Sequence, residues 1–163
     1  MQRQTLYAIT TEAAEAPGLC APRNVPVGSK VCRVSGLLSG APTRTSLQIG
    51  ASLHIDSGTA EWRFIEHSCA PNLEMDFTDW SFWARRDIAA HERLTFNYLT
   101  TEARMAAPFT CRCGCSECFD TIAGFSTLAP SLKRRLSDHV APHLRDAEIH
   151  RPGGCIFGVA ARA

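Results

Sequence analysis

The chain has 163 residues and a net charge of +1, with 17 basic side chains against 16 acidic ones. That length suits one domain with a real core, about 68–70% of the unfolded surface becoming buried. The balanced charge excludes the electrostatic footprint of a direct nucleic-acid binder, and no run approaches the ~18 apolar residues that span a bilayer.

The first segment, Met1-Gln2-Arg3-Gln4-Thr5-Leu6-Tyr7, lacks the apolar stretch of an export signal. A cytoplasmic location is therefore expected, or a nuclear one in a eukaryote, where the cysteines stay reduced. The first hundred residues predict short strands divided by turns. Val25-Pro26-Val27-Gly28-Ser29 is a turn leading into a strand over Lys30–Val34. Leu47–Ile49 and Ser52–Ile55 predict a hairpin around Gly50-Ala51. Trp80–Arg85 is a further strand, with both Trp side chains expected on one face. A turn over Asp87–Glu92 precedes a last strand over Leu94–Tyr98.

Helix enters late. Leu132, Leu136 and Val140 recur every four residues from Pro130 onward. Leu128 and Leu144 extend the stripe, and Pro142 is expected to end or kink the helix. Lys133-Arg134-Arg135 is expected to be a solvated face. From Arg151 onward a frayed tail is expected, with no evident role for Cys155. The expected boundaries are a main domain over 1–105, a cysteine-bearing segment over 106–125, a helix over 126–150 and a tail over 151–163.

The chemistry concentrates in two runs. Cys111-Arg112-Cys113-Gly114-Cys115-Ser116-Glu117-Cys118 places four cysteines in eight residues, too close for a disulfide framework. Upstream, Arg63-Phe64-Ile65-Glu66-His67-Ser68-Cys69-Ala70-Pro71-Asn72 supplies one more. Three thiolates from a short loop and one from a distant turn make a tetrahedral zinc site that pins the loop to the body. The plainer alternative is a set of reduced, metal-free thiols with Cys69 as a small core residue.

Three ordered motifs carry a resemblance. They are Phe64-Ile65-x-His67-Ser68-Cys69-x-Pro71-Asn72, then Ile88-x3-Glu92-x-Leu94-Thr95-Phe96-x-Tyr98, then Cys111-x-Cys113-Gly114-x3-Cys118. From about Ala16 to Phe125 the chain resembles the SET-domain family of protein-lysine methyltransferases, in its small free-standing form. The resemblance implies a mainly β fold of short curved sheets with a pseudoknot, a zinc-binding post-SET segment and a C-terminal helix. It implies S-adenosylmethionine on one side of the knot and a lysine channel on the other.

Residue by residue, the resemblance makes Cys69, Cys111, Cys113 and Cys118 the ligands of a structural zinc, with Cys115 an extra thiol. It makes Tyr98 the catalytic tyrosine and Phe96 the residue that sizes the channel. His67 matches a residue whose backbone contacts the adenine, its ring being a satisfied core histidine. Gly18, with Leu19 beside it, matches the backbone that approaches the cofactor, and Ile122 the residue beside the adenine.

Four positions depart from the family pattern. Glu66 stands where Asn usually binds the cofactor's amino-acid end, and a carboxylate there repels the cofactor's own carboxylate. Ala16 replaces the first glycine, Thr45 a second tyrosine, and His91 a turn glycine. The leading expectation is methyl transfer to a lysine amine of a protein or peptide. The second is the same scaffold turned to a small metabolite, with Glu66 a buried acid/base of raised pKa or a counter-charge. The third is a non-catalytic binding module. Fold alone does not decide among them.

Overall fold

A computed structural model describes residues 7–9 and 18–149. Ala16, Cys155 and the expected tail from Arg151 lie outside the described residues. The described residues form five small sheets. Strands β1 (Tyr7–Ile9) and β2 (Gly18–Cys20) pair antiparallel, and β3 (Lys30–Arg33) is the edge of a three-stranded sheet. The hairpin around Gly50-Ala51 forms as β5 (Ser46–Gly50) and β6 (Leu53–Asp56), with β4 (Leu37–Ser39) on its other side. Strand β7 (Glu66–His67) precedes β8 (Leu73–Asp76) and β9 (Ser81–Ala84), which complete the sheet of β3 in the order β3-β9-β8.

The site depends on a non-local pair. Strand β10 (Thr95–Phe96) lies parallel to β7, with Thr95 opposite Glu66 and Phe96 opposite His67. A parallel pair needs a long connection between its strands, and here β8 and β9 supply it. Asn72, 1% exposed, clips the crossing. Its Oδ1 accepts from the Thr95 amide at 2.8 Å, and its Nδ2 donates to the Arg93 carbonyl at 2.8 Å and to Glu92 Oε1 at 3.0 Å. The buried amide is thus fully engaged, and the motif asparagine is structural.

Two apolar clusters flank this crossing. Leu19, Leu47, Ile65, Leu73, Phe82 and Leu94 are among the side chains of the first, and Leu99, Phe119, Ile122, Phe125, Val140 and Leu144 belong to the second. Tyr98 packs against both. Strands β11 (Phe109–Thr110) and β12 (Thr121–Ile122) bracket the cysteine loop. After β12 the chain folds back onto residues 102–105, where the Phe125 and Ser126 amides donate to the Glu102 and Ala103 carbonyls at 2.8 and 3.0 Å. Gly124 has φ +112°, and a Cβ there would lie 2.5 Å from the Ala103 carbonyl oxygen. Only glycine permits that approach.

Four local expectations are corrected. The C-terminal helix is two: α1 (Pro130–Leu136) and α2 (Pro142–Ile149). Pro142 starts a helix rather than ending one, because a first-turn amide needs no partner. The Leu94–Tyr98 strand stops at Phe96, where Asn97 Oδ1 accepts from the Leu99 amide at 3.1 Å and turns the chain into a 3-10 segment over Tyr98–Thr100. The two Trp side chains do not share a face. Residues three apart point oppositely in a strand, and Trp80 precedes β9 with φ 54°. Its ring meets Phe77, whereas Trp83 lies under the Lys30 ammonium. The basic run is also less solvated than expected: Arg135 covers the Phe119 ring and Lys133 the Phe125 ring.

His91, at the missing turn glycine, holds φ 67° while its amide donates to the Ala21 carbonyl at 2.8 Å. Left-handed backbone costs a side-chain-bearing residue roughly 1–2 kcal/mol, partly offset by the entropy that glycine loses on folding. His91→Gly is therefore expected to stabilise the fold by about 1 kcal/mol, read as a raised urea midpoint. An unchanged or lowered midpoint would contradict the strain.

Candidate functional site

Beside the crossing lies a cavity of about 750 Å³ whose wall includes Trp62, Glu66, Phe96, Tyr98, Glu102 and Phe109. Tyr98 lines it because the 3-10 turn after β10 swings its ring back against His67 of β7. The hydroxyl donates to the Ile65 carbonyl at 2.8 Å. Burial pushes the phenol well above its ordinary range, with Glu66 and Glu102 adding to the shift. The ring lies 4.7 Å from Phe96, 5.3 Å from His67 and 6.2 Å from Phe109, centroid to centroid. Phe96, buried, is also held edge-on by Phe82. Thr45 is exposed at the mouth of the same cavity. Tyr98, Phe96 and Thr45 thus line one cavity.

Glu66 has a partner. Its Oε2 accepts from Arg93 at 2.5 Å, both side chains being about a third exposed, at 33% and 30%. An ion-paired, partly solvated carboxylate is not the buried group expected from sequence. The backbone of Gly18 abuts this pair: a Cβ there would sit 2.9 Å from both Arg93 Nη1 and Glu66 Oε2. Gly18, Glu66 and Arg93 thus form one cluster at the start of β2. Arg93 was missed in the sequence, although a carboxylate in place of a neutral amide is itself a signal that a counter-charge lies nearby.

His67 has the satisfied ring expected of it. Nδ1 accepts from the Tyr98 amide at 3.2 Å and Nε2 lies 3.3 Å from Cys69 Sγ. Burial pushes its pKa down to about 4. Two expected cofactor contacts are corrected. Leu19 and Ile122 are both 0% exposed, in the first and second clusters, so neither side chain offers surface to a ligand. An apolar residue beside a glycine or after a cysteine loop has the same signature whether it packs or binds.

Glu102 is the second residue missed. It is 7% exposed, lines the cavity, and carries a carboxyl pushed up to about 7 by burial. Its signal was a lone acid within the otherwise uncharged Leu99-Thr100-Thr101-Glu102-Ala103, four residues past Tyr98.

The sulfurs of Cys69, Cys111, Cys113 and Cys118 all lie within 4.8 Å of one another. Cys69 is 3.7 Å from Cys111 and 3.9 Å from Cys118, and Cys113 is 3.8 Å from Cys118. A tetrahedron with metal–sulfur bonds of about 2.3 Å has edges of about 3.8 Å, so the set is compatible with zinc. Backbone amides of Cys113, Phe119 and Asp120 each donate to a ligand sulfur at 3.4 Å, which favours thiolates. Cys115, 3.5 Å from Cys113, stands outside the four.

Residues 17–99 match the model of the SET domain family. The chain is 31% identical over 146 residues to the methyltransferase flvH of Aspergillus flavus, covering 88% of this chain and 79% of that protein. It is 32% identical over 90 residues to the histone-lysine N-methyltransferase ash1 of Drosophila melanogaster, covering 45% of this chain but 4% of that protein. The fold is also that of KRYPTONITE, solved in complex with mCHG DNA and SAH, with a TM-score of 0.55 at 24% identity over 68% of this chain and 27% of that one. The mainly β fold, the family-matched segment and the relative aligned over most of both chains agree: this chain belongs to the SET-domain family of methyltransferases.

Proposed function

We propose that the chain transfers a methyl group from S-adenosylmethionine to an alkylamine nitrogen, first of all that of a lysine side chain. The observation that carries this reading is the position of Tyr98. Its fixed hydroxyl stands in an aromatic-walled cavity that runs toward the Gly18–Glu66–Arg93 cluster. When bound, the cofactor supplies a methyl group on a sulfonium. Gly18 gives its backbone room, and the Glu66–Arg93 pair offers an acceptor and a donor to a zwitterionic amino-acid end. Arg93 thereby answers the repulsion that Glu66 alone would exert. Tyr98 orients the amine, and the aromatic wall keeps water from it, which is catalysis by positioning. A structural zinc held by Cys69, Cys111, Cys113 and Cys118 would keep the closing segment in place.

A second reading has a specific observation behind it. Thr45 and its exposed neighbours Thr43 and Arg44 leave the mouth wide, and two carboxylates line the interior. That suits a free small-molecule amine as well as a peptide side chain.

Calorimetric titration of the zinc-loaded chain with S-adenosylmethionine tests the reading. Micromolar binding is expected, retained in Glu66→Asn and weakened about tenfold or more in Arg93→Ala, the worth of one charged hydrogen bond. Absence of binding by the wild type, restored by Glu66→Asn, would mean that Glu66 has closed the pocket to this cofactor.

A further inference from the structure

Glu102 is a buried carboxylate that none of the three motifs explains. Oε1 accepts from the Gln48 amide at 2.8 Å and from the Thr101 hydroxyl at 3.2 Å. Gln48 is itself locked: its Oε1 accepts from the Ala103 amide and its Nε2 donates to the Gly50 carbonyl, both at 2.8 Å. Glu102 is thus anchored through one oxygen by groups that are themselves fixed. Among the described residues, Oε2 accepts no hydrogen bond. Glu102 itself lines the cavity. No Lys, Arg or His among the described residues pairs with it.

A carboxylate taken from water without a counter-ion is costly, and a cation entering the cavity removes that cost. The remaining walls suit such a guest. Phe96, Tyr98, Phe109 and Trp62 present rings toward the same space, and ring faces attract ammonium groups.

We propose that Glu102 is the ammonium acceptor of this cavity, binding the cationic end of an alkylamine through Oε2 and taking its proton. The proposal deepens the methyltransferase reading and rests on it for the fate of the amine. An N–H bond of the ammonium breaks, its electron pair stays on nitrogen, and the proton passes to Oε2. The neutral amine then has its lone pair free for the methyl group. Nitrogen is again cationic after transfer, and the carboxylic acid releases its proton to water, one per turnover. Burial supports the exchange by raising the carboxyl and lowering an ammonium, which brings the two proton affinities together. The other titratable groups on the cavity wall are Tyr98, Glu66, His67, Arg44 and Arg63, and behind Glu102 stands His143, which donates to the Thr101 carbonyl, with His54 close to it.

The test uses n-butylamine as the probe on the zinc-loaded chain, with no cofactor present. At about pH 8 calorimetry is expected to detect binding that Glu102→Gln weakens about 30-fold, the worth of a charged hydrogen bond. Wild-type affinity is expected to fall about tenfold per pH unit below about 7 as the carboxyl takes its proton, while the variant stays flat. In case the variant fails to fold, carbon-13 carboxyl spectra of the wild type give a second readout. The Glu102 resonance should move with n-butylamine and not with 1-pentanol. Equal affinity in the variant, a resonance indifferent to the amine, or no amine binding at all would overturn the proposal. If amine binding depends on Glu102 but S-adenosylmethionine does not bind, the methyltransferase reading falls and the amine site stands.

Discussion

Replacing Cys69 by Ser is expected to abolish stoichiometric zinc and to unfold the C-terminal third of the chain. Cys69 is the one ligand donated by the body of the fold, directly after β7, and the other three come from the loop between β11 and β12. Without it, Phe119 loses the sulfur that its amide meets at 3.4 Å. The β11–β12 hairpin is two residues per strand and cannot stand alone. Structural zinc contributes an apparent ~10–16 kcal/mol in small thiolate sites, comparable with the whole stability of a domain at ~5–15 kcal/mol. Metal analysis should find one zinc per wild-type chain and almost none in Cys69→Ser. Hydrogen exchange should show lost protection at Leu99, Phe119, Ile122 and Phe125 while Phe82 and Leu73 stay protected. Cys115→Ser, outside the tetrahedral set, should keep its zinc and its protection. A Cys69→Ser chain that retains one zinc would refute the ligand set.

Those cysteines were legible in the sequence because a metal site is written in residue type and spacing together. Asn72 and the His67-Ser68-Cys69 string were legible for the same reason: each occupies a position where one side chain alone meets the geometry. The hairpin at Gly50-Ala51 followed from turn chemistry between two alternating runs. What stayed hidden was set by non-local contact. Arg93 meets Glu66 only because β10 lies parallel to β7, and Glu102 faces the cavity only because Gln48, 54 residues earlier, donates to it. Leu19 and Ile122 were misassigned to the cofactor because core packing and ligand contact draw on the same apolar residues. Pro142 misled because a proline that breaks one helix can equally begin the next.

The same hidden carboxylate sets the second large expectation: Glu102→Gln should be more stable than the wild type at neutral and alkaline pH, with the gap closing in acid. In the native state burial raises the Glu102 carboxyl from 4.5 to about 7. Between those values the native chain holds a proton that the unfolded chain has released, so stability is full below the unfolded pKa and declines as pH rises through the folded one. The loss on reaching about pH 8 is roughly 3 kcal/mol, from the energy equivalent of a pKa shift. Gln keeps an oxygen for the Gln48 amide and carries no charge to bury, so the variant escapes that loss. The buried imidazoles of His54, His67 and His143, all lowered by burial, act in the opposite direction. They are common to both proteins and cancel in the difference. Urea midpoints measured from about pH 4.5 to pH 8 should therefore diverge by up to roughly 3 kcal/mol in favour of the variant. Parallel curves would mean that Glu102 is as well solvated in the fold as in the unfolded chain. With saturating n-butylamine the wild-type curve should recover toward that of the variant, because a bound ammonium supplies the counter-ion that the fold withholds.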